Sequence, residues 1–218
     1  MKNKKVLVTG GAGYIGSHTI VELLDAGFEV VAVDNLVNSE ASAIENISKI
    51  TGKKFPFIQA DTCDASAFRK VFEAHDFDSA IHFAAHKAVG ESVSDPLKYY
   101  SNNLQSFVNL IALMNEFKRT NVIFSSSATV YGEPDELPYT ELTKLKPATS
   151  PYGRTKQICE DILRDSVKAY GGLNGIILRY FNPVGAHPSA LIGELPRGVP
   201  NNLVPFVTQT AAGIRPCL

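Results

Sequence analysis

The chain has 218 residues, 44% of them hydrophobic and 20% charged, which suits a folded protein of one domain plus part of a second. Its net charge of −1 provides no electrostatic attraction for nucleic acid or an anionic membrane. Cys63, Cys159 and Cys217 fit no disulfide framework, the apolar run after Lys2, Lys4 and Lys5 is too short for a signal peptide, and no stretch is long enough to span a membrane; the sequence reads as cytoplasmic.

Strand-like and helix-like runs alternate from the start. Residues 5–9 form a short β-rich run that stops at Gly10. Residues 15–26 place Ile20, Leu23 and Leu24 on one helical face and end before Gly27, a C-capping residue. Residues 29–33 give a second strand closing on Asp34, and 55–60, 79–83, 121–125 and 175–179 give four more. Helical patterns over 40–50, 65–74, 96–117 and 151–170 separate them. This alternation predicts an α/β fold, a doubly wound parallel sheet with helices on both faces. Residues 182–205 are proline-rich and read as loop, followed by a short amphipathic helix around Leu203, Phe206, Val207, Thr210 and Ala211 with Asn202 as its N-cap.

The chemistry-bearing positions fall at the ends of these runs. Gly10, Gly13 and Gly16 make G-x-x-G-x-x-G after the first strand and at the start of the first helix. Glycines there permit a tight turn and let backbone N–H groups approach a pyrophosphate, the Rossmann-like dinucleotide arrangement. Asp34 ends the second strand, where a carboxylate binds a ribose diol and repels a 2′-phosphate, so NAD is favoured over NADP. Asp61 follows the third strand and is placed either to reach the adenine end or to cap the next helix. His82 and His86 straddle a strand end without a partnering carboxylate or cysteine cluster, which argues against a metal. Ser125, Ser126 and Ser127 close the fifth strand beside the expected nicotinamide crevice, and no G-x-S-x-G elbow points to a hydrolase.

Ser150 suits the N-cap and Pro151 the first position of the last long helix. Tyr152, Lys156, Cys159 and Leu163 follow at i, i+4, i+7 and i+11, and Ile162, Val167 and Tyr170 broaden this into a buried stripe. Y-x-x-x-K arises often by chance on solvated helix faces, but this pair sits on a core-facing one. An ammonium near a phenol favours the phenolate, so Tyr152 and Lys156 read as a proton-transfer pair for a sugar or alcohol hydroxyl.

The longer words make the reading narrower. T-G-G-A-G-Y-I-G-S-H (9–18), D-N-L-V-N-S (34–39), K-A-V-G-E-S-V (87–93) and S-S-S-A-T-V-Y-G (125–132) resemble the extended short-chain dehydrogenase/reductase superfamily and, within it, the UDP-glucose 4-epimerase family. S-P-Y-G-R-T-K (150–156), R-Y-F-N-P-V-G-A-H-P (179–188) and P-N-N-L-V-P (200–205) agree, so the resemblance covers nearly all of residues 5–213. Related sugar-nucleotide dehydratases usually carry an acidic pair where this chain has Ala128 and Thr129.

The resemblance implies NAD-dependent epimerisation at C4 of a UDP-hexose through a 4-keto sugar, within galactose metabolism. It implies Tyr152 as the base for the 4-hydroxyl, Lys156 on the nicotinamide ribose lowering the tyrosine's pKa, and Ser127 assisting proton transfer. The NAD site it implies includes Gly10, Gly13, Tyr14, Ile15 and Gly16, then Asp34, Asn35, Leu36, Val37, Asn38 and Ser39. It continues through Asp61 and Thr62, then Phe83, Ala84, Ala85, His86 and Lys87, with Asn102 and Phe181. The substrate side it implies begins with Lys87, Ser127, Thr129, Tyr152, Asn182, Asn202 and Leu203. Residues 1–180 would form the NAD-binding domain and 181–218 the start of a substrate domain. Family members continue past Ala212 and Gly213 into elements that hold the uracil and pyrophosphate, whereas this sequence reads Ile214-Arg215-Pro216-Cys217-Leu218; little turnover is therefore expected of 218 residues alone. The resemblance also implies a homodimer through helices at 96–117 and 151–170. Ala190 stands where the family usually has glycine.

Overall fold

The computed structural model describes residues 4–196, 198–200 and 202–217; Lys2, Asn201 and Leu218 of the sequence reading lie outside them. Six parallel strands make one sheet: β1 (Lys5–Thr9), β2 (Glu29–Asp34), β3 (Phe57–Gln59), β4 (Ser79–His82), β5 (Asn121–Ser127) and β6 (Asn174–Tyr180), in the order β3-β2-β1-β4-β5-β6. The strand order reverses between β1 and β4, where Thr9 pairs with His82. A crevice opens at such a switch point, beyond the strands' C-terminal ends.

The helices are α1 (Tyr14–Asp25), α2 (Ser42–Thr51), α3 (Ala65–Ala74), α4 (Val89–Ser94), α5 (Pro96–Glu116), α6 (Pro151–Ala169) and α7 (Leu203–Ala211). Side chains along β1 alternate between two cores, as a pleated strand requires. Val6 and Val8 pack with Ile20, Val21 and Leu24 of α1 and Ile47 of α2. Leu7 faces the other way, with Phe68 of α3, Leu110 of α5 and Leu163 of α6. Helices thus cover both faces, as the alternating pattern predicts.

Local chemistry sets most boundaries. Ser150 accepts a hydrogen bond from Gly153 N, with Pro151 in the first turn of α6. Asp95 caps α5 ahead of Pro96 in the same way. Asp64, not Asp61, caps α3, accepting from Ser66 N and Ala67 N, so the capping alternative for Asp61 is excluded. β3 begins two residues later than its apolar run because Pro56 has no N–H to give the ladder. β5 runs on to Ser127, two residues past its expected end. Helix α4 was not expected: six residues with Gly90 in their first turn carry too little periodicity to read. The α6 stripe is narrower than its spacing implies, since Cys159 and Leu163 are buried while Val167 and Tyr170 are exposed.

No helix or strand lies between Tyr180 and Leu203 among the described residues. That segment folds back over the sheet rather than away from it. Tyr14 Oη donates to Gly185 O at 2.7 Å, Asn46 Nδ2 donates to Leu191 O at 2.8 Å, and Ile192 is buried in the α1/α2 core. Ala190 has a left-handed backbone (φ 58°), which accounts for a glycine preference at that position. β6 forms the sheet's edge, with Ile176 55% exposed.

Candidate functional site

The switch-point crevice opens into a cleft of about 920 Å³. At one end lies the glycine turn. Gly10 has φ 69°, and a Cβ there would sit 2.8 Å from Ala84 N. A Cβ on Gly16 would lie 2.1 Å from Gly10 O, so only glycine lets α1 start against the turn. Gly13 is the N-cap of α1 and no side chain caps the helix. The positive end of the helix dipole, with unpartnered first-turn N–H groups, suits the negative charge of a pyrophosphate.

Asp34 closes this end. Its Oδ2 accepts from Ala12 N at 3.0 Å and its Oδ1 from Leu36 N at 2.9 Å and Ser39 Oγ at 2.8 Å. These bonds fix the carboxylate where the glycine turn meets β2. Asp61 accepts from Cys63 N at 2.8 Å, and Asn35 Nδ2 reaches it at 3.4 Å. Thr62 is buried with its hydroxyl 2.6 Å from Ser106 Oγ.

At the other end, Ser127, Thr129, Tyr152 and Lys156 meet. Ser127 Oγ accepts from Thr129 N at 3.2 Å and Thr129 Oγ1 at 3.0 Å, and Ser127 and Tyr152 face the same end of the cleft. Burial raises the Tyr152 phenol above its ordinary 10.0, and the nearby Ser127 hydroxyl works against that rise. Burial dominates the phenol's shift, and the Lys156 ammonium makes its hydrogen bond elsewhere. Lys156 Nζ instead donates to Ser125 O at 2.8 Å and lies 4.9 Å from the Phe124 ring centre, against 5.8 Å for the Tyr152 ring. Burial also pulls the lysine from 10.5 to about 8, with Cys159 pulling the other way, so the ammonium stays the main form at neutral pH.

That shift has a sign for stability. Between about pH 8 and 10.5 the unfolded chain binds more protons than the folded one. The buried ammonium therefore costs stability below about pH 8, and the cost disappears as pH rises through that window. The drop is worth about 3 kcal/mol at neutral pH. Lys156→Met is expected to raise stability at pH 7 by about 2 kcal/mol, after subtracting the lost bond to Ser125. Urea unfolding at pH 7 and above pH 10 checks it: the gain should shrink at the higher pH, and a loss at pH 7 contradicts it.

Nearly all the sequence-predicted positions share this one cleft. Gly10, Gly13, Tyr14, Ile15, Gly16, Asn35, Val37, Asn38, Phe83, Ala84, Ala85, His86, Lys87, Asn102, Phe181, Asn182 and Asn202 line it with those already placed. Leu36 and Leu203 do not line it: Leu36 adopts φ 61°, and Leu203 opens α7 at 73% exposed. Asn202 stands at the N-cap of α7, but its side chain makes no cap bond and donates to Glu194 Oε1 at 2.7 Å. His82 is buried, with Nδ1 2.8 Å from Thr9 Oγ1, and burial lowers it to about 3, with the Lys156 charge adding to the drop. It is a neutral core residue.

Glu194 is the residue sequence reasoning missed. Its Oε1 also takes Lys87 Nζ at 3.0 Å, so it joins the β4 loop to the returning segment. A glutamate in a proline-rich loop carries no periodic signal, and only chain return brings Lys87 to it.

Comparison with known proteins places this geometry. A model of the NAD dependent epimerase/dehydratase family matches residues 6–209. The chain is 53% identical over 214 residues to a UDP-glucose 4-epimerase of Dictyostelium discoideum, covering 98% of this chain and 62% of that protein. It is 51% identical over 222 residues to one of Caenorhabditis elegans, covering 98% and 64%. The crystal structure of UDP-glucose 4-epimerase from Bifidobacterium longum with NAD+ and UDP superposes with a TM-score of 0.94 at 49% identity, covering 96% of this chain and 63% of that one. The chain thus spans less than two thirds of the length of these relatives. A parallel sheet reversing at the glycine turn, matched by a family model over 6–209, makes this chain a member of the NAD dependent epimerase/dehydratase family.

Proposed function

We propose that this chain holds NAD and the proton-transfer end of an enzyme interconverting UDP-glucose and UDP-galactose at C4. The observation that carries the reading is the convergence of Ser127, Thr129, Tyr152 and buried Lys156 at one end of a cleft whose far end is the glycine turn. The uncapped α1 start and the cradle at Gly10 and Gly16 fit a dinucleotide, and Asp34 fits its ribose. When bound, NAD supplies the acceptor for the hydrogen at sugar C4. Tyr152 takes the 4-hydroxyl proton, and Ser127 orients that hydroxyl with Thr129 behind it. Lys156 lies at the nicotinamide end, while Tyr14, Asn35, Asp61, Phe83 to Lys87, Asn102 and Phe181 shape the cofactor's walls. Lys87, Asn182 and Asn202 start the sugar-nucleotide side.

In this reading residues 1–180 form the NAD domain and 181–218 the first part of a substrate domain. The enzyme works in the cytoplasm in galactose metabolism and pairs with a second copy through α5 and α6. A second reading, an NAD-holding module without turnover, is favoured by Glu194, which already occupies both Lys87 and Asn202.

Purified protein is expected to release NAD on denaturation, and Gly16→Ala protein to release little. Chromatography of the released nucleotide checks this, and nucleotide-free wild-type protein with no NAD affinity removes the cofactor assignment. Conversion of UDP-galactose to UDP-glucose by the NAD-loaded protein then separates the readings: retained NAD without conversion favours the module.

A further inference from the structure

The word K-A-V-G-E-S-V folds as the unexpected helix α4, and its polar side chains are all engaged. Lys87 is held by Glu194. Glu91 accepts from Tyr99 Oη and from Lys98 Nζ, each at 2.6 Å, which fastens α4 to α5. Ser92 is completely buried, donates to Val89 O at 2.6 Å, and accepts from Tyr152 N at 3.2 Å.

The last contact joins two helices at the reacting end of the cleft. The first N–H groups of any α-helix lack partners in their own helix. In α6 the Gly153 and Arg154 amides are satisfied by Ser150, but Tyr152 lies too near the start for that. Its amide is met from outside, by Ser92. On the other side, Tyr152 O accepts from Thr155 Oγ1 at 2.7 Å, and that hydroxyl accepts from Asn103 Nδ2 at 3.1 Å. The Tyr152 backbone is thus clamped at both ends by buried groups, and the ring it carries stands in the cleft with Ser127.

We infer that Ser92 is a positioning residue for Tyr152: its hydroxyl fixes the first turn of α6 so that the phenol reaches Ser127. The inference rests on the assignment of Tyr152 and Ser127 above. Reacting groups work within narrow tolerances, and supporting contacts of this kind keep them there. Because Ser92 and Ser127 would act on the same ring, their effects on it do not add.

NMR of ring-labelled tyrosine tests this at neutral pH, with the Tyr152 Cζ signal assigned by its loss in Tyr152→Phe. Ser127→Ala should move the signal, Ser92→Ala should move it to nearly the same place, and the double variant no further. Ser92→Thr, which keeps the hydroxyl, should leave it at the wild-type position. A signal unmoved by Ser92→Ala while Ser127→Ala moves it overturns the inference, as do additive shifts. A signal unmoved by Ser127→Ala overturns the assigned Ser127–Tyr152 contact, and the role of Ser92 falls with it. Should Ser92→Ala not fold, amide exchange of Tyr152 in the wild-type protein decides. Strong protection supports the bond, and exchange at the rate of an open amide overturns it.

Discussion

Tyr152→Phe is expected to slow UDP-galactose conversion by the NAD-loaded protein by about 10²- to 10⁴-fold, the usual contribution of a positioned general base. Phenylalanine keeps the ring's packing and removes only the phenol oxygen that faces the cleft. Retained NAD and unchanged unfolding would show that chemistry, not folding, was lost. The wild-type rate should also depend on pH in a definite direction. Burial raises the phenol above 10.0 despite Ser127, so the phenolate is a minor form at neutral pH and the rate should climb as pH rises. A variant within tenfold of wild type would remove Tyr152 from its role.

The second large effect is on stability. Glu160, on the α6 face opposite solvent, is 0% exposed and ties three elements together. Its Oε1 accepts from Ser126 Oγ of β5 at 2.6 Å and Arg179 Nε of β6 at 3.0 Å. Its Oε2 accepts from Arg179 at 2.8 Å and from Arg164 at 2.7 Å. Burial alone would raise this carboxyl, but the bonds from Arg179, Ser126 and Arg164 outweigh it and hold it below the ordinary 4.5. Removing one partner of such a group leaves a buried charge uncompensated, so Glu160→Ala should cost about 3–5 kcal/mol at pH 7. For a protein of this size that lowers the melting temperature by roughly 10 °C or more. Because the folded value is depressed, this stability is present above the ordinary carboxylate range and lost as pH falls through the folded value. Thermal unfolding at pH 7 and near pH 3 checks both parts: the gap between wild type and variant should close in acid.

Much of the fold is legible in the chain because its signals are local. Gly10, Gly13 and Gly16 sit between an apolar run and an amphipathic one, and each does there what backbone geometry demands. Ser150 and Pro151 mark the start of α6 by chemistry confined to four residues. Asp61 shows the limit of such signals: capping chemistry fits it as well as Asp64, and the backbone chose Asp64. Helix α4 is too short for a period, and its place depends on Ser92 and Glu91 meeting α6 and α5.

Sequence by itself determined the alternation of strands and helices, the glycine turn, the acid at the end of β2 and the spacing of Tyr152 and Lys156, since each depends on neighbours within a few turns of chain. Tertiary structure alone decided what those groups face. It turned Lys156 toward Ser125 and the Phe124 ring and buried the Tyr152 phenol, which raises it. It brought Glu194 across the cleft to Lys87, and Ser92 to the amide of Tyr152. Such contacts span tens of residues, and desolvation depends on everything packed around a group; neither is written in the spacing of a motif.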